Sequence, residues 1–438
     1  MENLKDVLWA WGKTKGLEGL EIYAFEEKGL KVEKKDRKLE TFQPYLEKGV
    51  AIRLIKNHSL GFSFTTSFDP DDLVFTAERA YEMALSMPKD DYEFPEPQEY
   101  PGIEPTRKEL ISSEKALMLL EQMEEAAFSY DSRVKRIQEV GLSHRQGRLF
   151  MANSKGVEAS WFYGGFSLVA VVVAMTGAEA QMGWEWRTAL TPEEISPEEI
   201  AQNAAFRAVS RLGAKPLASQ KVHILLPPHI AVEFLELISE ALSGDNVLKG
   251  KSALAGKLGQ SLFPSFVSIV DNGLLLGALG TRPFDDEGVA QRETYLVREG
   301  CLEGFLFDSY WGRKAGQGST GNARRANFKN PPTVGLTNFY LEPGETPRER
   351  FFDKLPEVFE VLEVLGMHTA DPISGEFSIG VSGLLHRKGE KIPVSGMALS
   401  GDVFSLFKGI EALGSDLTFY GNIGSPSILT GKLDLAGG

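Results

Sequence analysis

A catalytic zinc needs three or four imidazole, thiolate or carboxylate ligands brought to one point, two of them commonly a helical turn apart. The chain offers six histidines, His58, His144, His223, His229, His368 and His386, and a single cysteine, Cys301. No two histidines stand three or four residues apart, and none belongs to an H-E-x-x-H pair. His223 and His229 are nearest, but Pro227-Pro228 lies between a strand-like segment and the second histidine. The spacing reads all six as turn or surface histidines, and only the fold can bring distant ones together.

Carboxylates are the second source of chemistry. In the segment His229–Leu242, Ile230, Phe234, Ile238 and Ala241 recur at helical spacing, and Glu233, Glu236 and Glu240 form a stripe roughly opposite. Three carboxylates on one stripe suit a hard cation or acid–base work; the plainer reading is a solvated face or a subunit contact. Asp285-Asp286-Glu287-Gly288 is an acidic turn that suits a metal loop but equally an ordinary turn. Gly316-Gln-Gly-Ser-Thr-Gly-Asn-Ala-Arg-Arg325 is the most unusual stretch. Its glycines let backbone N–H groups approach a ligand, and it lacks the Gly-Lys-Ser/Thr of a nucleotide loop. It therefore suits peptide or carboxylate recognition, through Gly318, Thr320, Gly321, Asn322, Arg324 and Arg325, or a surface loop. Cys301 lies in an Arg298–Phe305 hairpin with no neighbouring base, which makes it a small buried residue rather than a nucleophile.

The elements that must position these residues follow from periodicity and breakers. A helix is expected from Asn3 to Lys15, then strands over 20–27, 29–37, 43–55 and 59–67, with Lys28-Gly29 and Asn57-His58 as turns. A second helix over Asp69–Ser86 faces inward through Leu73, Ala77, Ala80 and Ala84. The Pro-, Asp- and Glu-rich stretch near 88–106 is a poor core former and reads as a surface loop. Helix returns at Ser112–Ser129, followed by strands over 133–143, 148–153, 156–166, 167–176 and 178–187, with Asn153-Ser154-Lys155-Gly156 as a hairpin turn. A capped helix is expected over Thr191–Leu212, and Gly213–Gln220 is the best linker. The fold class is α+β. Residues 1–212 form an N-terminal domain with an antiparallel sheet and flanking helices; residues 213–438 form a β-rich, barrel-like or sandwich domain.

Composition limits the partners. The formal charge is −14, with 61 acidic against 47 basic side chains, and the basic pairs Lys34-Lys35 and Arg324-Arg325 are short. Such a chain is repelled by phosphate backbones, so direct nucleic-acid binding is not expected. One cysteine forbids an internal disulfide. The longest apolar run, Phe166–Met175, is half of the roughly 20 residues that a membrane helix needs. With no apolar signal core over Met1–Gly19, a cytoplasmic location is expected.

Taken in order, six segments resemble the TldD/PmbA family of peptidases, also called modulators of DNA gyrase. They are Gly49-Val-Ala-Ile-Arg-Leu54 with Gly61-Phe62, Asn153–Val157, Gly244-Asp245, Asp285–Gly288, Gly300–Gly304 and Thr320–Arg325. The resemblance spans nearly the whole chain. It implies a zinc-carrying subunit, TldD, with H-E-x-x-x-H before Gly-Asp and a Cys ligand near the C-terminus. Counted back from Gly244-Asp245, those positions here hold Leu235, Glu236 and Glu240, and the segment Asp416–Asn422 contains no cysteine. A leucine cannot coordinate zinc, and one glutamate does not replace two imidazoles and a thiolate.

This is the pattern of the family's other subunit, TldE or PmbA. The resemblance implies a heterodimer with a TldD-like chain, or a homodimer in its absence. Zinc would sit in the partner, with no cofactor and no metal in this chain, and peptides would be the substrates. Catalytic residues are then absent here, Leu235, Glu236 and Glu240 being vestigial positions, and the chain shapes a peptide chamber. Two rivals are a protein-binding modulator of DNA gyrase and a homo-oligomeric peptidase using Cys301.

Overall fold

The computed structural model describes residues 4–105 and 109–437; the expected helix start at Asn3 and loop end at Thr106 lie outside them. The first helix, α1 (Leu4–Lys15), buries Leu8 and Trp11. It leads into β1 (Gly19–Lys35), β2 (Lys38–Lys56) and β3 (Ser59–Thr65). Then come α2 (Pro70–Ser86), α3 (Ser113–Tyr130), β4 (Val134–Asn153), β5 (Glu158–Thr176), β6 (Glu179–Ala189) and α4 (Pro197–Val209). The six strands make one antiparallel sheet in the order β3-β2-β1-β4-β5-β6.

Alternation along β1 assigns the faces of this sheet. Ile22, Ala24, Leu30 and Val32 point to the side covered by helices, the first two under α1 and α2, the last two under α3 and α4. The opposite face carries Glu21, Tyr23, Phe25 and Glu27, and it packs on the second half of the chain, where Tyr23 and Phe25 cluster with Phe284. α2 is capped by Asp69 and carries Pro70 in its first turn, and its inner side is Leu73, Ala77, Ala80 and Ala84, as expected.

Three expected breaks are not breaks. Lys28-Gly29 lies inside continuous β1, and the gap expected between 143 and 148 lies inside β4. Gly29 pairs with Tyr45, and a Cβ there would sit 2.3 Å from the Tyr45 ring. Gly147 pairs with Tyr163 in the same way, at 2.5 Å. These glycines make room for an aromatic ring laid across the neighbouring strand and do not turn the chain. The turn that joins β1 and β2 is Asp36-Arg37, with φ of 44° and 66°, and Asn57-His58 turns β2 into β3 with 52° and 62°. The break expected after Phe166 is likewise absent from β5. The helix expected from Thr191 is shorter than drawn. A single 3₁₀ turn, Pro192–Glu194, precedes α4, whose cap is Ser196 and whose first residue is Pro197.

After Gly213–Ser219 the chain forms β7 (Gln220–Leu226), α5 (Pro228–Ala241), α6 (Gly244–Leu248), β8 (Ile269–Asn272), β9 (Glu293–Arg298), β10 (Cys301–Leu302) and α7 (Ser309–Lys314). It continues through β11 (Ala323–Arg324), β12 (Thr333–Val334), β13 (Phe339–Leu341), α8 (Arg350–Lys354), β14 (Glu357–Leu365), β15 (Glu376–Arg387) and β16 (Glu390–Asp402). It ends with α9 (Val403–Lys408), β17 (Ile410–Leu413), β18 (Thr418–Tyr420), β19 (Ile423–Ser425) and β20 (Ile428–Ala436). One sheet runs β16-β15-β14-β7-β20-β17, and β16 also pairs with β20 at Ala398–Leu399, so five strands close into a barrel with β17 added along β20. A second sheet runs β10-β9-β8-β13-β19-β18, and β11 and β12 form a small ribbon. Barrel residues Val222, Ile224, Phe359 and Ile379 share one core with Phe234, Leu235 and Ile238 of α5. Among the described residues no helix is long and apolar enough to cross a membrane.

Candidate functional site

α5 starts at Pro228, where a missing N–H costs nothing, and buries Ile230, Phe234, Ile238 and Ala241. The strands β18 and β19 pack on it, so the fold does bring the segment Asp416–Asn422 beside this helix. At the helix's far end Gly244 donates its N–H to Leu306 O at 2.8 Å, and a Cβ there would lie 2.0 Å from the Phe307 ring. Asp245 takes hydrogen bonds from Ser243 Oγ at 2.5 Å and Lys249 Nζ at 2.7 Å.

The side chains at the three flagged positions diverge. Leu235 is fully buried in the core, whereas Glu236 and Glu240 are exposed, and Glu240 accepts from Asn246 Nδ2 at 3.2 Å. Glu233 is half-buried, and burial, aided by the charge of Glu236, pushes its carboxyl up to about 7. Among the described residues no three His, Cys, Asp or Glu side chains form a group able to hold a metal ion. The histidines differ from their expected surface placement. His144 and His229 are buried; His229 packs edge-on to Trp184 with Nε2 3.3 Å from Leu362 O. Burial holds both below the usual imidazole range. His223 and His386 are half-buried, His386 bonded to Glu360 at 2.7 Å, and only His58 and His368 are exposed. Cys301 is also half-exposed rather than buried.

The acidic turn is a buried junction between the two halves of the chain. Asp285, Asp286 and Glu287 are all buried. Arg53 of β2 holds Glu21 of β1 through two nitrogens, at 2.8 and 2.5 Å, and reaches Glu287 at 3.0 Å. Arg325 donates to Glu21 at 2.7 Å and its backbone N–H to Asp286 at 2.8 Å. Arg282 holds the other oxygen of Asp286 at 2.8 Å. Asp285 accepts backbone N–H groups from Glu287, Val289 and Ala323.

Burial works against each of these charges, and the pairing decides the outcome. Arg53 is held above its ordinary range because Glu21 and Glu287 outweigh the desolvation. Asp286 and Glu287 are held low by Arg282 and Arg53 respectively, against their own desolvation. Asp285 and Asp308 are raised, first by burial and then by the charge of Glu287. The turn's carboxylates are thus taken up by arginines and backbone donors.

The glycine-rich segment divides in two. Its second part is built into this junction. Asn322 is buried and donates to Asp271 Oδ1 at 2.8 Å, while the Thr320 hydroxyl accepts from Phe307 N at 2.8 Å and donates to Asn322 at 2.7 Å. Gly321 is left-handed at φ 81°, and Arg324 reaches Gly280 O at 3.3 Å. Its first part is open. Gly318 is exposed and lines a cavity of about 450 Å³ together with Glu93, Glu96, Arg292, Ser309 and Arg313. The opposite wall of that cavity is the proline-rich stretch, which has no regular structure but is firmly held. Asp90 accepts from Tyr310 at 2.6 Å, Arg313 donates to Asp91 O at 2.7 Å, and Phe94 is buried.

Sequence reasoning missed Glu21, Arg53, Arg282, Asp271, Arg292 and Ser309. A signal existed for Arg53, a lone cation within the apolar run Gly49–Ile55, where a charge needs a buried partner.

Models of three consecutive domains of one family match the chain: PmbA/TldA metallopeptidase domain 1 at residues 20–84, the central domain at 107–212 and the C-terminal domain at 219–437. The chain belongs to this PmbA/TldD family. An uncharacterized protein of Methanocaldococcus jannaschii is 29% identical over 95% of this chain and 96% of its own. A crystal structure from Thermotoga maritima, described as that of a candidate modulator of a DNA gyrase, is 28% identical with a TM-score of 0.91, covering 99% of this chain and 100% of that one. The structure of TldE from Thermococcus kodakarensis shares the fold at a TM-score of 0.88, 21% identity and the same coverage.

Proposed function

We propose that this chain is a TldE/PmbA-type subunit of a heterodimeric zinc metallopeptidase that degrades peptides. It lacks the zinc ligands itself and shapes the peptide chamber of a TldD-like partner that holds the metal. The carrying observation is the state of α5. Leu235 is buried in the core, and Glu236 and Glu240 point to solvent without an imidazole or thiolate beside them. Zinc does not fit this donor set, since an exposed pair of glutamates offers neither the nitrogen or sulfur ligands nor the closed geometry that zinc prefers. No catalytic step is therefore assigned to this chain's residues. Likeness to the TldE fold and membership of the metallopeptidase family support the reading.

In this reading, the acidic turn 285–288 and the second part of the glycine-rich segment brace the chamber wall and do not touch substrate. The test is reconstitution. This chain alone should leave unfolded peptides intact, and adding a TldD-type chain should yield cleavage that a chelator abolishes. Chelator-sensitive cleavage by this chain alone would overturn the proposal.

A further inference from the structure

The proline-rich stretch crosses from one half of the chain to the other as a strap, and most of its anchors on the far side belong to one short helix. On the near side the Asp90 N–H donates to His58 O at 2.8 Å, and Asn153 Nδ2 donates to Pro95 O at 2.9 Å. On the far side α7 supplies Tyr310 to the Asp90 carboxylate at 2.6 Å and Lys314 to the same group. Arg313 of α7 donates to Asp91 O at 2.7 Å and to Glu93 O at 3.2 Å. Tyr92 stacks on Tyr310 with ring centres 5.1 Å apart, and Tyr100 donates to Gly288 O of the acidic turn at 2.9 Å.

The residue that caps α7 is a buried carboxyl group short of cations. Asp308 accepts from Trp311 N at 2.8 Å and is 5% exposed. The charged and titratable groups facing it are Glu287 of the turn, Arg53 of β2, Asp245 of α6 and Tyr310 of α7. Arg53 is already divided between Glu21 and Glu287; Glu287 also accepts the Ser309 N–H at 2.9 Å, and Asp245 is held by Lys249 at 2.7 Å. The strap closes over this group, with the buried Phe94 ring 5.2 Å from the Arg53 guanidinium. We propose that the strap is a latch, closed while Asp308 keeps its proton and released when that proton leaves.

Neutral Asp308 adds no second charge beside Glu287. Ionised, it sets two buried carboxylates against one arginine that Glu21 already engages, and opening the strap relieves this by admitting water. What opens is the cavity of about 450 Å³ between the strap and the glycine-rich loop. Burial, then the charge of Glu287, pushes the Asp308 carboxyl up to about 7, against the Trp311 N–H and Arg53. Asp285 is raised by the same two causes but accepts three backbone N–H groups, which suit its ionised form. A raised value in the closed form means that closure holds the proton more tightly. The latch is at full strength below the ordinary 3.8 and is lost as the pH rises through about 7. Asp286 and Glu287 are held low, so their own protonation lies below this window.

Hydrogen exchange of the strap amides in the full chain, corrected for intrinsic exchange rates, tests this at pH 5 and pH 8. The opening constant at Asp90 and Tyr92 rises about tenfold or more between the two, while amides in the centre of β1 and β4 show no such rise. Asp308→Asn keeps the cap, since asparagine accepts from the same N–H, and removes the charge; in it the two pH values agree within about twofold. That variant leaves Asp285 and Glu233 untouched, so it separates Asp308 from the other raised carboxyls. Equal opening at the two pH values in the unmodified chain overturns the proposal without any variant. A rise that persists in Asp308→Asn, or that is as large in β1 and β4 as in the strap, overturns it too. The measurement uses neither partner nor metal, so it stands or falls apart from the reconstitution result.

Discussion

Two acidic clusters, alike in the sequence, have opposite fates in the fold. Asp285-Asp286-Glu287 is buried against Arg53, Arg282 and Arg325, whereas Glu236 and Glu240 of α5 face water and Glu233 is half-buried with no cation beside it. The first cluster joins two parts of the chain that lie more than 200 residues apart, as Arg53 and Glu287 do. The second makes only a local contact, from Asn246 Nδ2 to Glu240 at 3.2 Å. A carboxylate run thus says little until its partners are known: arginines turn one run into a structural joint, and without them the other stays mostly at the surface.

The joint should yield the largest effect. Arg53→Ala leaves Glu21 and Glu287 buried with one cation fewer, and it should destabilise the chain by about 3–5 kcal/mol, measured by denaturant unfolding. A loss below about 1 kcal/mol would mean that the junction is not a buried charge network.

An intermediate effect belongs to Glu233. Its carboxyl sits at about 7 in the folded chain, above the ordinary 4.5. A raised folded value means that the folded state holds the proton more tightly. The associated stability is fully present below about 4.5 and is lost as the pH rises through about 7. Glu233→Gln removes this dependence. It should stabilise the chain by roughly 1–2 kcal/mol more at pH 8 than at pH 4, read from the difference in unfolding free energy between chain and variant. An equal effect at the two pH values would contradict the assignment. The smallest effect is expected at Glu236 and Glu240, where alanine should change stability by under about 0.5 kcal/mol.

Much of this contrast was legible in the sequence. Apolar spacing gave α2 and α5 with their inner faces, and Asn57-His58 and Asn153–Gly156 marked real turns. What the sequence hid were distances. Gly29 and Gly147 read as breaks because glycine ends strands more often than it sits beneath a tyrosine ring across the sheet. Asp285–Glu287 read as a metal loop or an ordinary acidic turn because their arginines come from residue 53 on one side and residues 282 and 325 on the other. His144 and His229 read as surface residues because a lone histidine carries no local sign of burial. Ser309 and Arg292 carry no motif at all; only the cavity wall puts them together.

The central claim is that the metal belongs to the partner and not to this chain. Elemental analysis of zinc in the purified chain, alone and then as a complex with a co-expressed TldD-type subunit, tests it most directly. The account predicts no stoichiometric zinc in the chain alone and stoichiometric zinc in the complex, removable by a chelator together with the peptidase activity. Stoichiometric zinc in the chain alone, lost on Glu236→Ala or Glu240→Ala, would contradict it.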